Sequence, residues 1–357
     1  MRILILGTGA MAKRFGAQLA APADSVDPAP GRTFGVTLSG SWREAVEAID
    51  REGIRVEAAD ASWRASVRAL PREALPAAAF ELVLVLVKSH QTARVAADAA
   101  HALAPGGLIL TLQNGVGNRE QLAAAAAGAR VTAGVSSAGA TGLGPNRVRF
   151  GGPGTTVLGE VPGPARDAAR PDAGDPGAAR PDAARPDAAN PDVVHADVAY
   201  PSVTDVARRF RVAGLATEVS DDIERLLWRK LAVNCAINPL TALEGIPNGA
   251  LLADPALRER MRAAAREVAA VAAARGTDLG LDAAALAEDV ARQTAANRSS
   301  MLQDLDRGAE TEIEAICGAV LREGRRLGLP TPVNAALRRA VLARSGARSS
   351  AIVGDAA

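Results

Sequence analysis

The feature that most constrains this chain is a glycine-rich turn that starts at residue 7. The run Gly7-Thr8-Gly9-Ala10-Met11-Ala12 follows Arg2–Leu6, an apolar segment typical of a buried strand, and leads into a helical segment over Met11–Ala20. In this G-x-G-x-x-A pattern the first glycine permits a tight turn, the second lets the backbone approach a pyrophosphate, and the small third residue allows close helix packing. The turn therefore predicts a dinucleotide-binding site that uses all six residues, with an ordinary strand–helix turn as the alternative.

Strand-like and helix-like segments alternate through the first half of the chain, which predicts an α/β fold with an N-terminal Rossmann-like doubly wound sheet. Predicted strands lie at Val36–Leu38, Leu82–Val87, Leu108–Leu112, Val131–Val135 and Thr155–Leu158, with helices at Trp42–Arg51 and Thr92–Leu103. From about Thr204 the segments are long, rich in Ala, Leu, Arg and Glu, and show no convincing strand. This change predicts an all-helical C-terminal domain.

These patterns divide the chain into a cofactor-binding domain at 1–203, a helical substrate and catalytic domain at 204–345, and a disordered tail at 346–357. Within the first domain, Gly163–Tyr200 is a near-repeat of Arg, Pro, Asp and Ala that offers little to bury, so we predict a disordered insertion at about 163–200. Ala21–Arg32 is predicted to be an extended loop.

The charge of the chain is nearly balanced, with 41 basic and 40 acidic residues and a formal net charge of +1. Neither nucleic acid nor a membrane surface is therefore expected as a partner. Cys235 and Cys317 lack metal-ligand spacing, which predicts buried thiols, a reducing compartment and no metal site. We expect a cytoplasmic protein without a signal peptide or membrane span. Its expected partner is a small molecule, and a homodimer is the oligomeric state to test.

The residues after the second strand bear on the choice between NADPH and NADH. An acid there binds the ribose 2′-hydroxyl of NAD, whereas an Arg nearby accommodates the 2′-phosphate of NADP. The run Ser39-Gly40-Ser41-Trp42-Arg43 contains no acid, so NADPH is favoured, and NADH is kept as the alternative because Arg43 also fits a solvated helix residue. Lys88 and Asn114 follow two further apolar runs, at the edge where such sheets bind ligands.

A polar stripe on a buried helix is the second informative feature. Leu226–Leu243 is apolar almost all the way round, but Lys230, Asn234 and Asn238 interrupt it at i, i+4 and i+8 and so share one face. A row of donors on a buried helix predicts the wall of a polar-ligand cleft, and burial would lower the pKa of the lysine. The alternative is a lysine that reaches the surface beside two structural asparagines.

A second stripe places Asn297, Ser300 and Asp304 at i, i+3 and i+7, with Glu312 shortly after. We assign Asn297 to the substrate site, but the spacing alone does not place this stripe in the same cleft as Lys230. A helix cap or a solvated helix face is the alternative for these residues.

Taken in order, the motifs resemble the ketopantoate reductase (2-dehydropantoate 2-reductase) family. The resemblance spans nearly the whole chain and rests on GTGAMA, LVKSHQ, LQNGVGN, LWRKLAVNCAINPLTAL, IPNGAL and NRSSMLQDLDRGAETEIEAICG. It implies an NADP-dependent oxidoreductase that reduces ketopantoate to pantoate with NADPH, in pantothenate and coenzyme A biosynthesis. It also implies that Lys230 is the catalytic residue that donates a proton to the carbonyl oxygen.

The same resemblance implies roles for further residues and shows one departure. The family commonly carries an Arg just after the second strand for the 2′-phosphate, whereas this chain has Ser41 there. Substrate contacts are implied, beside Lys230, for Asn234, Asn238, Asn248 and Ser300. Cofactor contacts are implied for Lys88, Asn114, Glu312 and the backbone of Ala140.

Two alternatives to this function stay open at the level of sequence. One is a related NAD(P)-dependent reductase of another 2-keto acid, which would need the same polar groups. The other is a non-enzymatic NADP-binding sensor, which would have no use for Lys230 and its asparagines.

Overall fold

The computed structural model describes residues 1–20, 35–159 and 201–354 of the chain. Both predicted irregular stretches, Ala21–Arg32 and Gly163–Tyr200, lie outside the described residues. In chain order the strands are β1 (Arg2–Leu6), β2 (Gly35–Gly40), β3 (Ile54–Glu57), β4 (Ser62–Ala65), β5 (Arg68–Pro71), β6 (Phe80–Val85), β7 (Leu103–Thr111), β8 (Arg130–Ser136), β9 (Ala140–Gly142), β10 (Arg147–Phe150), β11 (Thr156–Gly159) and β12 (Thr217–Ser220).

The helices fall into two groups along the chain. Those that pack with the strands are α1 (Ala10–Leu19), α2 (Arg43–Glu52), α3 (Thr92–Ala102), α4 (Asn118–Ala125) and α5 (Val203–Val212). Those of the C-terminal part are α6 (Ile223–Glu244), α7 (Pro255–Ala274), α8 (Ala283–Gln293), α9 (Ser300–Asp306), α10 (Cys317–Arg326) and α11 (Pro332–Gly354). Short 3-10 helices lie at Arg72–Ala74, Ser89–Gln91 and Asn248–Leu252.

The main sheet has eight strands in the order β12-β11-β8-β7-β6-β1-β2-β5. From β5 to β8 all neighbours are parallel, so their carboxyl ends meet at one edge. Central β1 is buried on both faces: Ile3 and Ile5 pack in the core with α1, while Leu4 and Leu6 pack in the core with α3. Helices on both faces confirm the predicted doubly wound α/β sheet.

A smaller sheet, β4-β3-β10-β9, covers one side of α1 and was not predicted. Its strands are short, and charged side chains such as Arg55, Arg64 and Arg149 point to solvent between buried neighbours such as Val56 and Val148. A strand with only one apolar face lacks the continuous apolar run that marks the central strands.

The main sheet also extends further along the chain than the sequence indicates. No strand was predicted after about Thr204, and this was wrong, because Thr217–Ser220 forms β12 and pairs in parallel with β11. This edge strand contains one apolar residue, Val219, so it lacks an apolar run. Helix α5 and β12 therefore belong with the sheet, beyond the predicted boundary at 203/204.

The C-terminal part is helical and packs around α6. Asp222 caps α6 by accepting the Arg225 N–H at 3.2 Å, and Gly245, with a φ of +73°, ends it. Cys235 and Cys317 are free and buried in this core, as expected for small apolar side chains. The predicted tail at 346–357 is helical as far as Gly354, and residues 355–357 lie outside the described residues.

Among the described helices, none combines the length and the apolar character needed to cross a membrane.

Candidate active site

The glycine turn lies at the carboxyl end of β1, between β2 and β6. The Gly7 N–H donates to the Ser39 carbonyl at 2.7 Å, and Gly7 has a φ of +133°. A Cβ at Gly7 would lie 3.0 Å from the carbonyl carbon of Leu86, so the close approach of the two chain segments requires glycine. Gly9 caps α1 without a side-chain hydrogen bond, and a Cβ there would meet no described atom within 4 Å. The first N–H groups of α1 are therefore open to a phosphate.

The remaining residues of the turn pack into the sheet and the core. Thr8 is buried against β2, since a Cβ at Gly40 would lie 3.0 Å from the Thr8 Oγ1. Ala12 is fully buried, and Met11 packs partly buried against the same core. A small residue at position 12 therefore lets α1 approach the sheet, as the G-x-G-x-x-A pattern predicts.

Ala140 lies in β9 of the smaller sheet, close to the start of α1. A Cβ at Gly142, in the same strand, would lie 3.9 Å from the Cβ of Ala10. The strand thus runs beside the glycine turn, a position compatible with the backbone contact to the cofactor that stays a prediction for Ala140.

The segments after β6 and β7 meet at a buried carboxylate from the helical part. The Ser89 Oγ lies 2.7 Å from the Asn114 carbonyl oxygen and 2.8 Å from the Glu312 Oε1. The Ser89 N–H donates to the same Oε1 at 3.0 Å, and the Asn114 Nδ2 donates to the Glu312 Oε2 at 2.8 Å. Glu312, between α9 and α10, thereby bridges the ends of two strands.

The environment of Glu312 keeps it ionised although the residue is only 7% exposed. Burial is the largest influence on the pKa of Glu312 and raises it. The charge of Lys88, whose Nζ lies 3.9 Å from Oε2, and the hydrogen bonds from Asn114 and Ser89 together outweigh burial, so the pKa lies below its ordinary value. Glu312 is therefore negatively charged at neutral pH.

Lys88 makes a second contact with the helical part. Its Nζ lies 2.6 Å from the Asp304 Oδ2 on α9. Burial raises the pKa of Asp304, and the charge of Lys88 offsets only part of that rise. This ammonium thus stands between two carboxylates, and the described residues hold no group of three or more His, Cys, Asp or Glu arranged for a metal ion.

Lys230 lies on α6, half-buried at the same edge of the sheet. Its Nζ donates to the Ser136 carbonyl at the end of β8, at 3.1 Å. Burial lowers the pKa of Lys230, and the negative charge of Glu312 acts in the opposite direction without cancelling the effect. The ammonium is held against a backbone carbonyl, which does not fit the alternative of a lysine that reaches the surface.

Asn234 and Asn238 follow Lys230 along the same face of α6. Asn234 is half-buried and Asn238 is 8% exposed, and neither amide group has a hydrogen-bond partner among the described residues. The Asn238 carbonyl accepts the Thr241 hydroxyl at 3.1 Å, and that hydroxyl lies 2.8 Å from the Ser299 Oγ. Both amides are therefore available to a ligand beside the start of α9.

The other predicted substrate residues lie around the loop between α8 and α9. The Asn248 Nδ2 donates to the Thr294 Oγ1 at 2.9 Å, and the Asn248 N–H donates to the Asn297 carbonyl at 3.0 Å. The buried Oδ1 of Asn248 accepts no hydrogen bond from a described residue. Asn297 and Ser300 are exposed, so their assignments to the substrate stay predictions.

Two serines contribute contacts that the sequence did not single out. Ser89 directly follows Lys88 at the same edge of the sheet, so its position after a buried strand is the signal that could have indicated it. Ser299 rather than Ser300 is the N-cap of α9, because its Oγ accepts the Leu302 N–H at 3.1 Å. The capping signal of Ser, followed by a helix, was present in the sequence but fitted both serines.

Comparisons with known proteins identify two matching family models. Residues 3–163 match the family described as ketopantoate reductase PanE/ApbA, and residues 222–345 match ketopantoate reductase PanE/ApbA C terminal. The second match begins at Asp222, the cap of α6.

Relatives and solved structures agree with these matches. The 2-dehydropantoate 2-reductase of Halobacterium salinarum is 32% identical over 333 residues, which are 93% of this chain and 95% of the relative. The crystal structure of a PanE/ApbA family ketopantoate reductase from Ralstonia eutropha JMP134 is 28% identical, with a TM-score of 0.78 over 98% of this chain and 100% of that one. D-Mandelate dehydrogenase, in a ternary structure with NADH and anilino(oxo)acetate, shares the fold at 22% identity, with a TM-score of 0.79 over 97% and 99% of the two chains.

In the loop after β7, alanine should destabilise the protein more at Gly115 than at Gly117. Gly115 and Gly117 have φ values of +84° and +93°, but only a Cβ at Gly115 would collide, with the Ala315 carbonyl oxygen near Glu312. We expect Gly115→Ala to lower the free energy of unfolding by about 2–4 kcal/mol, from backbone strain and collision together, and Gly117→Ala by about 1 kcal/mol from strain alone. Urea unfolding measures both, and equal losses would contradict the packing described for this loop.

Proposed function

The chain belongs to the ketopantoate reductase family, and we propose that it reduces ketopantoate to pantoate with NADPH, in pantothenate and coenzyme A biosynthesis. The observation that carries the proposal is the placement of Lys230. Its ammonium lies at the carboxyl edge of the sheet, 3.1 Å from the Ser136 carbonyl and under the influence of the Glu312 charge. Glycine turn, lysine and buried carboxylate thus share one edge.

The residues at the glycine turn fit a nicotinamide dinucleotide. The close approach at Gly7 and the open space at Gly9 leave a cradle beside the N-terminus of α1, where no described side chain accepts the first N–H groups and they can hold a pyrophosphate. When bound, the cofactor supplies the hydride that is added to the keto carbon. Lys88 and Asn114 lie further along the same edge and are proposed to hold its nicotinamide half.

Lys230 is proposed to act on the carbonyl oxygen of the substrate. That oxygen gains negative charge as the keto carbon is reduced, and a nearby ammonium offsets the charge and then donates a proton. Burial lowers the pKa of Lys230, which makes release of the proton easier near neutral pH. The negative charge of Glu312 limits this effect, because it raises the pKa of Lys230.

The asparagines are proposed to orient the rest of the substrate. The free amides of Asn234 and Asn238 lie on the same face of α6 as Lys230 and can donate to a carboxylate. The buried Oδ1 of Asn248 is an acceptor without a donor, so it fits a hydroxyl group of the substrate better than a carboxylate. Ketopantoate carries both groups.

An assay over 2-keto acids tests the substrate assignment. We expect ketopantoate to be reduced with a kcat/KM at least about 100-fold above that of 3,3-dimethyl-2-oxobutanoate, its analogue without the hydroxyl, because the analogue leaves a buried polar group unpaired. Cofactor oxidation is followed with NADPH and NADH separately. A faster reaction with another 2-keto acid would favour the first alternative, and no oxidation with any would favour the sensor.

The alternative of another 2-keto acid is kept because D-mandelate dehydrogenase has the same fold. The same polar groups could hold the carboxylate and carbonyl of such a substrate. Location in the cytosol and assembly as a homodimer likewise stay predictions.

Replacement of Lys230 tests the proposed proton donor. Lys230→Ala should lower kcat by about 100-fold or more, the usual contribution of a positioned general acid. Fluorescence titration with NADPH serves as the control and should give a wild-type dissociation constant. Near-normal turnover in a variant that still binds NADPH would rule out this role.

The pH profile tests the coupling between Glu312 and Lys230. Lys230 must hold a proton to donate it, so kcat/KM should fall as pH rises through its pKa. The Glu312 charge raises that pKa, so Glu312→Gln should move the basic limb of the profile to lower pH. Glu310→Gln, at an acid whose side chain is 71% exposed, is the matched control and should leave the limb in place. An unmoved limb in Glu312→Gln would contradict the coupling.

A further inference from the structure

We propose that Arg94 and Arg72, together with Ser39 and Ser41, form the subsite for the 2′-phosphate of NADP(H), and that Arg94 selects NADPH over NADH. The proposal rests on the proposed function in one respect, because it takes the ligand to be a nicotinamide dinucleotide. Neither Arg94 nor Arg72 has a role in the site described above.

A narrow cavity opens at the carboxyl ends of β1, β2 and β6, beside the glycine turn. Its wall includes Leu6, Ser39, Ser41, Arg72, Val87 and Arg94. The Ser39 carbonyl accepts the Gly7 N–H at 2.7 Å, so the cavity is contiguous with the pyrophosphate cradle. In a doubly wound sheet the adenosine ribose binds at the end of the second strand, which here is β2.

Ser39 presents an unpaired hydroxyl at this wall. The residue is 1% exposed, and its Oγ has no hydrogen-bond partner among the described residues. A buried hydroxyl without a partner costs free energy, and such groups are usually paired. A ribose or phosphate oxygen in the cavity would supply the missing partner.

The charges at the cavity favour an anion. Arg72 is held in place, since it donates to the Asp98 carboxylate and, through Nη2, to the Arg94 carbonyl at 2.7 Å. Asp98 neutralises Arg72, but the exposed Arg94 guanidinium has no hydrogen bond or ion pair with a described residue. Among the described residues no acid lines the cavity, so Arg94 gives this part of it a net positive charge that matches a phosphate monoester.

The structure favours Arg94 and Arg72 over Arg43, the arginine that the sequence offered for the 2′-phosphate. Arg43, the first residue of α2, is exposed and is not part of the cavity wall, whereas Ser41 is. Ser41 holds the place of the family's usual Arg, and the two arginines reach the same space from the end of β5 and from α3. The positive charge is therefore retained at the subsite but comes from other elements.

Binding of two adenosine fragments tests the subsite without any turnover. Calorimetry compares 2′,5′-ADP, which carries the 2′-phosphate, with 5′-AMP, which lacks it. We expect the wild-type protein to bind 2′,5′-ADP at least about tenfold more tightly, and Arg94→Gln to lose that preference, because one charge-assisted contact changes affinity by about tenfold or more. The kcat/KM ratio of NADPH to NADH should fall in parallel, through NADPH alone.

Three further variants sharpen the result. Arg68→Gln, at an exposed residue at the opposite end of β5, is the matched control and should change neither fragment. Arg72→Gln should weaken the binding of 2′,5′-ADP as well. Thermal unfolding of this variant shows whether the loss of the contact with Asp98 destabilises the fold, and so separates that effect from a direct effect on binding. If Arg43→Gln removed the preference and Arg94→Gln did not, the proposal would be overturned.

The two proposals fail in different ways. Equal affinity of the wild-type protein for 2′,5′-ADP and 5′-AMP would overturn the proposed 2′-phosphate subsite. It would leave open that the protein is a reductase that uses NADH. A preference for 2′,5′-ADP that depends on Arg94, without oxidation of NADPH by any 2-keto acid, would support the subsite and remove the proposed function.

Discussion

The candidate site depends on one buried carboxylate, that of Glu312. Three donors from two strand ends converge on it, two from Ser89 and one from Asn114. A buried charge is costly unless it is paired and hydrogen-bonded, so these contacts tie the segment before α10 to the carboxyl edge of the sheet. The charge of Glu312 also interacts with the ammonium groups of Lys88 and Lys230. The two halves of the cleft are therefore linked by electrostatic interactions as well as by hydrogen bonds.

Features that depend on neighbouring residues could be predicted from the sequence. The glycine turn is such a case, because a strand, two glycines and a helix follow each other within Arg2–Leu19. The polar face of α6 is another, since helical geometry alone places Lys230, Asn234 and Asn238 in a row. The doubly wound sheet followed from the same kind of local alternation.

Features that depend on distant partners could not be predicted in this way. A contact with the hydroxyl of Thr241, 58 residues away in the sequence, distinguishes Ser299, the cap of α9, from the adjacent Ser300. Likewise, no spacing indicates that Arg94 on α3 reaches the end of β2. The smaller sheet and β12 were not predicted for a different reason. A strand with one exposed face has apolar residues only on its other face, so it lacks the continuous apolar run that marks a buried strand.

The choice between two kinds of cation adds a chemical argument for the site. Lys13, Lys88 and Lys230 are the only lysines in the chain, and the other 38 of its 41 Lys and Arg residues are arginine. An arginine holds its proton at any accessible pH, whereas burial readily lowers the pKa of a lysine. Lys13 is an example, since burial lowers its pKa to about 8. Arginine therefore serves the exposed ion pairs of this protein, but it could not replace Lys230 in a step that transfers a proton. The proposed donation of a proton to the carbonyl oxygen therefore fits a lysine at position 230 and not an arginine, whereas charge neutralisation alone would be met equally well by arginine.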